Sequence, residues 1–126
     1  MSLRKAEYIK DFASKIVSGE FALQAVEQLS DEEAIAALSS LKGIGRWTAE
    51  MILLFCLQRP EISSYDDLAI QRGLRMLYHH RKITRELFNK YQKRYSPYGS
   101  TAAIYLWTIA GGAIEGMKDY APAKKC

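Results

Sequence analysis

Three stretches of the 126-residue chain carry groups able to do chemistry. The first is L-K-G-I-G-R, Leu41 to Arg46, where two glycines flank one aliphatic residue. Without Cβ atoms such a turn can be very tight and can let another backbone approach it. A helix starts immediately after it, so the N–H groups of Gly45, Arg46 and Trp47 are first-turn donors with no acceptor inside the helix. Together with the positive end of the helix dipole they form a ready site for a phosphate. The plain structural reading is a glycine C-cap followed by a helix start. The second stretch is Y-D-D-L-A-I-Q, where Asp66 and Asp67 open a helix. Ser64 with Asp67 three residues on also reads as a capping box, and acids at a helix N-terminus favour stability by themselves. The third is basic: Arg75, Arg81, Lys82, Arg85, Lys90, Lys93 and Arg94 stand against one acid, Glu86. A one-sided basic run suits an anionic partner such as nucleic acid, and it also describes a solvated helix surface.

The remaining reactive side chains offer less. Cys56 lies in an apolar run and Cys126 at the C-terminus, which gives neither a disulfide framework nor a metal-ligand spacing. His79 and His80 sit beside Arg81 and Lys82 at a helix end and read as surface residues or dipole complements. The net charge is +4 with 48% hydrophobic and 25% charged residues, as in ordinary globular proteins. No apolar run reaches bilayer length, and the N-terminus has no signal-peptide core. These features predict a reduced, cytoplasmic protein, nucleoid-associated if bacterial, with no membrane partner.

The elements that must hold these groups are helical. Ala6, Ile9, Phe12, Ala13, Ile16 and Val17 recur at three- and four-residue spacing before Ser18–Gly19, which predicts a helix over Leu3 to Val17. A short helix over Phe21 to Gln28 follows. Ser30 with Glu33 is a capping box opening a helix to Ser39. The turn L-K-G-I-G then leads into a helix over Arg46 to Gln58, whose residues 51 to 57 are apolar all round and so belong in the centre of a bundle. Pro60 stops it. Further helices are predicted over Asp66 to Tyr78, Thr84 to Arg94 and Ser100 to Glu115. With no period-two segment of useful length, the fold class is all-α: one compact helical domain over residues 1–117 and a frayed tail over 118–126.

Two short helices joined by L-K-G-I-G make a helix–hairpin–helix candidate, and three segments strengthen it. "LKGIGRWTAEMILLF", "YDDLAIQRGL" and "YSPYGSTAAIYLW", in that order, resemble the helix–hairpin–helix DNA glycosylase superfamily, most closely its alkylbase type, 3-methyladenine DNA glycosylase II. The likeness runs from about Leu3 to Gly116. It implies a DNA-repair hydrolase acting on double-stranded DNA. Such an enzyme flips out an alkylated base of the 3-methyladenine or 7-methylguanine type and cuts its N-glycosidic bond. On this pattern Asp67 is the catalytic carboxylate, stabilising positive charge on the sugar as the base leaves and orienting water. Asp66 is a cap or a supporting group. Leu41, Lys42, Gly43, Ile44, Gly45 and Arg46 form the phosphate-binding hairpin. The motif's precedents add a monovalent cation, Na+ or K+, on the carbonyls of Ser39, Leu41 and Ile44.

Trp47 stands where bifunctional relatives place a lysine nucleophile, so the resemblance is to the monofunctional branch. Trp47 is read as a wall of the base pocket or as core, and Trp107 as a pocket tryptophan whose π-face suits a cationic methylated base. No cofactor is required, and two cysteines cannot hold the iron–sulfur cluster of some relatives. Two departures stand out. Gly99 in "SPYGS" replaces a frequent family arginine, and no stretch stands in for the family's N-terminal part, which forms the other wall of the cleft. A naturally short chain, a fragment and a chain completed by another subunit all fit this pattern. The expectation is self-association through the face so left open, or an open apolar groove with weak excision. The alternative function is a non-catalytic helix–hairpin–helix DNA-binding module.

Overall fold

A computed structural model describes residues 2–123. Seven α-helices and one π-helical turn make up its regular structure, with no strand among the described residues. The α-helices are α1 (Leu3–Ser18), α2 (Leu23–Val26), α3 (Asp31–Ser39), α4 (Arg46–Met51), α5 (Leu68–Tyr78), α6 (Arg85–Tyr95) and α7 (Gly99–Ala110). None is long and apolar enough to cross a membrane. The chain groups into two compact units, the first ending at Arg59 and the second beginning at Pro60.

In the first unit α1 is capped at both ends. The Ser2 hydroxyl accepts from Lys5 N–H at 3.3 Å, and Gly19 (φ 80°) turns the chain left-handed, its N–H on the Ile16 carbonyl. The predicted apolar stripe of α1 is only half covered: no residue of the helix is fully buried, and Ile9 and Val17 are exposed. The capping box forms through its Ser30 half, whose hydroxyl accepts from Glu33 N–H at 3.3 Å. Ala34, Ile35 and Leu38 of α3 are buried together with Ala49, Leu53 and Leu54.

The helix predicted from Arg46 to Gln58 does not stay α. After Met51 it widens into a π-helical turn, Ile52–Cys56, closed by Leu57 N–H on the Ile52 carbonyl. Leu53 and Leu54 are buried, whereas Phe55 is 58% exposed and Cys56 is exposed, so this apolar run is not enclosed on every side. Arg59 then fastens the unit. Its guanidinium donates to the Val26 and Leu29 carbonyls at 3.2 and 2.9 Å and meets Asp31 at 2.9 Å. It thereby adds a donor to carbonyls at and just past the end of α2 and charge pairing at the start of α3.

The second unit is built on α5 packed along α7, with α6 beside α7. Gly73 permits the close approach: a Cβ there would lie 2.5 Å from the Leu106 carbonyl oxygen. Ile70, Leu74, Met76, Ile83, Phe88, Tyr91, Ala103 and Leu106 form its core. Helix α7 ends at Ala110, five residues before the predicted Glu115, where left-handed Gly112 (φ 91°) turns the chain away. Asp119 forms a bidentate pair with Arg75 (2.8 and 2.9 Å), lies 3.5 Å from Arg72, and accepts from Ala121 N–H, while Tyr120 packs on His79. Residues 124–126, including Cys126, lie outside the described residues.

Candidate functional site

Asp67 is a buried carboxylate of the second unit with donors on both oxygens. It is the N-cap of α5, and Oδ1 accepts from the N–H groups of Ala69 (2.9 Å) and Ile70 (3.1 Å). The predicted Ser64–Asp67 capping box is therefore replaced by a direct cap from Asp67, and Asp66, expected as the cap or a supporting group, is exposed. The other oxygen, Oδ2, accepts from the indole Nε1–H of Trp107 at 3.2 Å. The carboxylate is 7% exposed, at the positive end of α5. One oxygen is spent on the helix start, and the other is aimed by a half-buried tryptophan from α7, 40 residues away in sequence.

The loop that delivers Asp67 is pinned from several sides. Glu61 accepts from Ser96 Oγ–H at 2.8 Å and from Gly99 N–H at 3.1 Å, so one carboxylate ties the loop to the start of α7. Ser100 strengthens the tie, its N–H on the Pro60 carbonyl and its hydroxyl receiving Ile62 N–H, each at 2.8 Å. Tyr65 donates to the Ile83 carbonyl, and Gln71 donates to the Tyr65 carbonyl. At Gly99 a Cβ would stand 3.3 Å from the Glu61 carboxylate, so Glu61 crowds the space at the position where an arginine was noted as missing. Nothing local in the sequence marks Glu61, because its partners lie 35 and 38 residues downstream.

In the first unit the hairpin has its predicted residues, and its two glycines differ. Gly43 is left-handed (φ 82°), and a Cβ would fall 2.6 Å from Cγ of the Tyr8 ring, so the fold itself demands glycine there. Gly45 has ordinary extended geometry (φ −88°, ψ −179°), and a Cβ would meet nothing within 4 Å. Gly45 caps α4 without a side chain, and its carbonyl accepts from Ala49 N–H at 3.0 Å. Ile44 N–H closes the turn on the Leu41 carbonyl at 3.2 Å. Leu41 is buried, Lys42 is exposed, and Lys42, Gly43 and Ile44 line a mostly apolar groove with Lys5, Tyr8, Ile9 and Phe12.

The Arg46 side chain is about half exposed and engaged by acids. It pairs with Glu32 at 2.8 and 3.2 Å and lies 3.6 Å from buried Glu50. The Arg46 guanidinium holds the Glu32 carboxyl below its usual range, chiefly by hydrogen bonding. Trp47 is 52% exposed on the first turn of α4, which removes the reading of it as core.

For a cation on Ser39, Leu41 and Ile44 the oxygen chemistry is suitable. The Leu41 carbonyl spends one lone pair on Ile44, and the buried Ser39 hydroxyl has no hydrogen-bond partner. His79 caps α5 in left-handed geometry (φ 60°), and His80 Nε2 pairs with the Tyr91 hydroxyl at 2.5 Å. Among the described residues no three His, Cys, Asp or Glu side chains gather as a metal-binding group.

No family model matches the chain. It is 40% identical over 108 residues to DNA-3-methyladenine glycosylase 1 of Schizosaccharomyces pombe, covering 84% of this chain and 47% of that protein. Against a DNA-3-methyladenine glycosylase of Bacillus subtilis it is 29% identical over 110 residues, 86% of this chain and 36% of the other. Among solved structures, a DNA-3-methyladenine glycosidase from Bacillus halodurans superposes with a TM-score of 0.80 at 34% identity, covering 95% of this chain and 56% of that one. The Schizosaccharomyces pombe 3-methyladenine DNA glycosylase in complex with abasic DNA gives 0.77 at 35% identity, over 94% and 58%. The chain thus spans about half the length, or less, of the relatives it matches by sequence.

Proposed function

We propose, for a chain homologous to part of the helix–hairpin–helix DNA glycosylases, that it is a monofunctional DNA-repair hydrolase removing alkylated bases from double-stranded DNA. The observation that carries the proposal is the Asp67–Trp107 pair: a 7%-exposed carboxylate with one oxygen fixed by α5 and the other aimed by an indole N–H at 3.2 Å. Breaking an N-glycosidic bond builds positive charge on the deoxyribose. A fixed anion held by donors that need not reorganise stabilises that charge, and the same carboxylate can orient the attacking water. The Trp107 ring offers its π-face to a methylated, cationic base of the 3-methyladenine or 7-methylguanine type. Trp47 is proposed as a further aromatic contact for the base. At that position an indole supplies no amine for a Schiff base, so water is the nucleophile.

Binding is assigned to the hairpin. Gly45 is not required by its own conformation or packing, which supports a role in admitting an approaching DNA backbone. The N–H groups of Gly45, Arg46 and Trp47 are the proposed phosphate ligands. A Na+ or K+ bound by the carbonyls of Ser39, Leu41 and Ile44 would add positive charge facing the same phosphate.

The test is Asp67→Asn. Asparagine caps helices about as well as aspartate, so its carbonyl oxygen keeps Ala69 and Ile70 satisfied and the fold survives. Its amide brings N–H groups toward the Trp107 N–H and removes the charge. Release of 3-methyladenine from alkylated duplex should fall on the order of 100-fold or more, about 3 kcal/mol of transition-state stabilisation, with DNA affinity unchanged. Exposed Asp66→Asn should change little. Equal losses from both substitutions would remove Asp67 from the role. The cap at Asp67 also supports the second reading, a non-catalytic DNA-binding module, since helix capping alone accounts for a buried aspartate here. Tight duplex binding by the wild-type chain with no base release would decide for that module.

A further inference from the structure

We infer that the outward face of α6, with the turn preceding it, is a second DNA-backbone contact surface, separate from the hairpin and unspecific for sequence. The inference rests on DNA being the partner proposed above. Residues 81 to 94 hold Arg81, Lys82, Arg85, Lys90, Lys93 and Arg94 against the single acid Glu86. That segment is net +5 in a chain of net +4, so all other residues together sum to −1. The electrostatic attraction of this chain for a polyanion is therefore concentrated in one helix and its leading turn. The hairpin lies in the other unit, where Asp31, Glu32 and Glu33 crowd the first turn of α3.

A solvated salt-bridged helix would look different. All six cations are exposed, and among the described residues none lies within ion-pair distance of a carboxylate. Arg46, Arg59, Arg72 and Arg75, by contrast, are each matched to an acid. Part of the α6 charge is also held in place by aromatic faces. The Arg85 guanidinium lies 4.2 Å from the Tyr65 ring centre, and Arg94 lies 5.6 and 5.5 Å from the centres of Tyr78 and Tyr91. Those last two rings stack at 4.0 Å and 4°, making a rigid platform under the charge. Held charges lose less entropy on meeting phosphates than free ones do. The 11 residues of α6 extend over roughly 16 Å. Over that length duplex DNA carries roughly nine phosphate charges, so the face matches several at once.

The experiment measures binding of undamaged duplex DNA as a function of salt, with no excision readout. Lys82, Lys90 and Lys93 are changed together to Gln. Arg85 and Arg94 stay, because their guanidiniums lie closer to ring centres than the Lys90 ammonium, which is 5.9 Å from that of Tyr91. A control changes Arg4, Lys10 and Lys118 to Gln, removing the same charge from exposed sites elsewhere. The slope of log K against log salt should become shallower by about 3 in the α6 variant, near 0.9 for each lost contact, and should barely move in the control. Equal changes in both variants would mean that net charge alone acts, and an unchanged slope in the α6 variant would remove the surface. Binding of the wild-type chain to anionic lipid vesicles but not to DNA would also overturn it. Failure of the Asp67 chemistry leaves this measurement untouched, so the two proposals fall separately.

Discussion

The two glycines of the hairpin stand two residues apart and answer to different constraints. Gly43 is required from inside, by its left-handed φ of 82° and by the Tyr8 ring where a side chain would go. Gly43→Ala should cost about 1 to 2 kcal/mol in unfolding free energy from the backbone alone, with more from the ring contact. In the Tyr8→Ala background only the ring part should be recovered, which denaturant titration of the four chains would reveal. Gly45→Val meets open space at an extended φ, so its stability should stay near wild type while duplex affinity falls for every sequence alike. Unchanged affinity in a folded Gly45→Val chain would rule out close backbone approach at the hairpin. From the sequence the two glycines look equivalent. The left-handed φ of Gly43 and its contact with Tyr8, 35 residues upstream, separate them.

At the scale of elements, the closest approach of α5 and α7 rests on Gly73. Gly73→Ala presses a methyl against the Leu106 carbonyl, which is main chain and cannot rotate aside, so a loss of about 1 to 3 kcal/mol is expected in thermal or denaturant unfolding. Because Leu106 neighbours Trp107, the same change should also lengthen the Asp67–Trp107 hydrogen bond and lower any base release more than it lowers DNA affinity. Most helices were legible in the sequence because caps and periodicity agree: Ser30 and Thr84 accept from the N–H groups of Glu33 and Leu87 as their positions imply. Asp67 and Trp107 were legible through motif resemblance, but their hydrogen bond was not, since no local signal joins residues 40 apart. The π-turn was illegible for a related reason. An apolar run looks the same whether its bonds reach four or five residues back, and packing decides between them. The early stop of α7 could have been read from its glycines, which two left-handed turns put to use.

At the scale of the whole molecule, each unit closes on a clasp of its own, Arg59 in the first and Asp119 in the second. The Arg75 hydrogen bonds, aided by Ala121 N–H and the charges of Arg75 and Arg72, hold the Asp119 carboxyl down from 3.8 to about 2, against a smaller opposing effect of burial. A carboxyl whose pKa is depressed on folding lends stability that is fully present above 3.8 and disappears as pH falls toward 2. Asp119→Asn should therefore be less stable than wild type at neutral pH, and the gap should close between about pH 4 and 2, as followed by helical circular dichroism. A gap that persists unchanged at pH 2 would show that the clasp works by packing and not by charge. The two tryptophans are also divided one to each unit: Trp47 half-exposed on the hairpin, Trp107 bonded to the carboxylate. The chain thus carries two native fluorophores in unlike surroundings. Trp47→Phe and Trp107→Phe chains would each leave one of them as the reporter, so occupancy of the hairpin and events at Asp67 can be observed in turn without any added label.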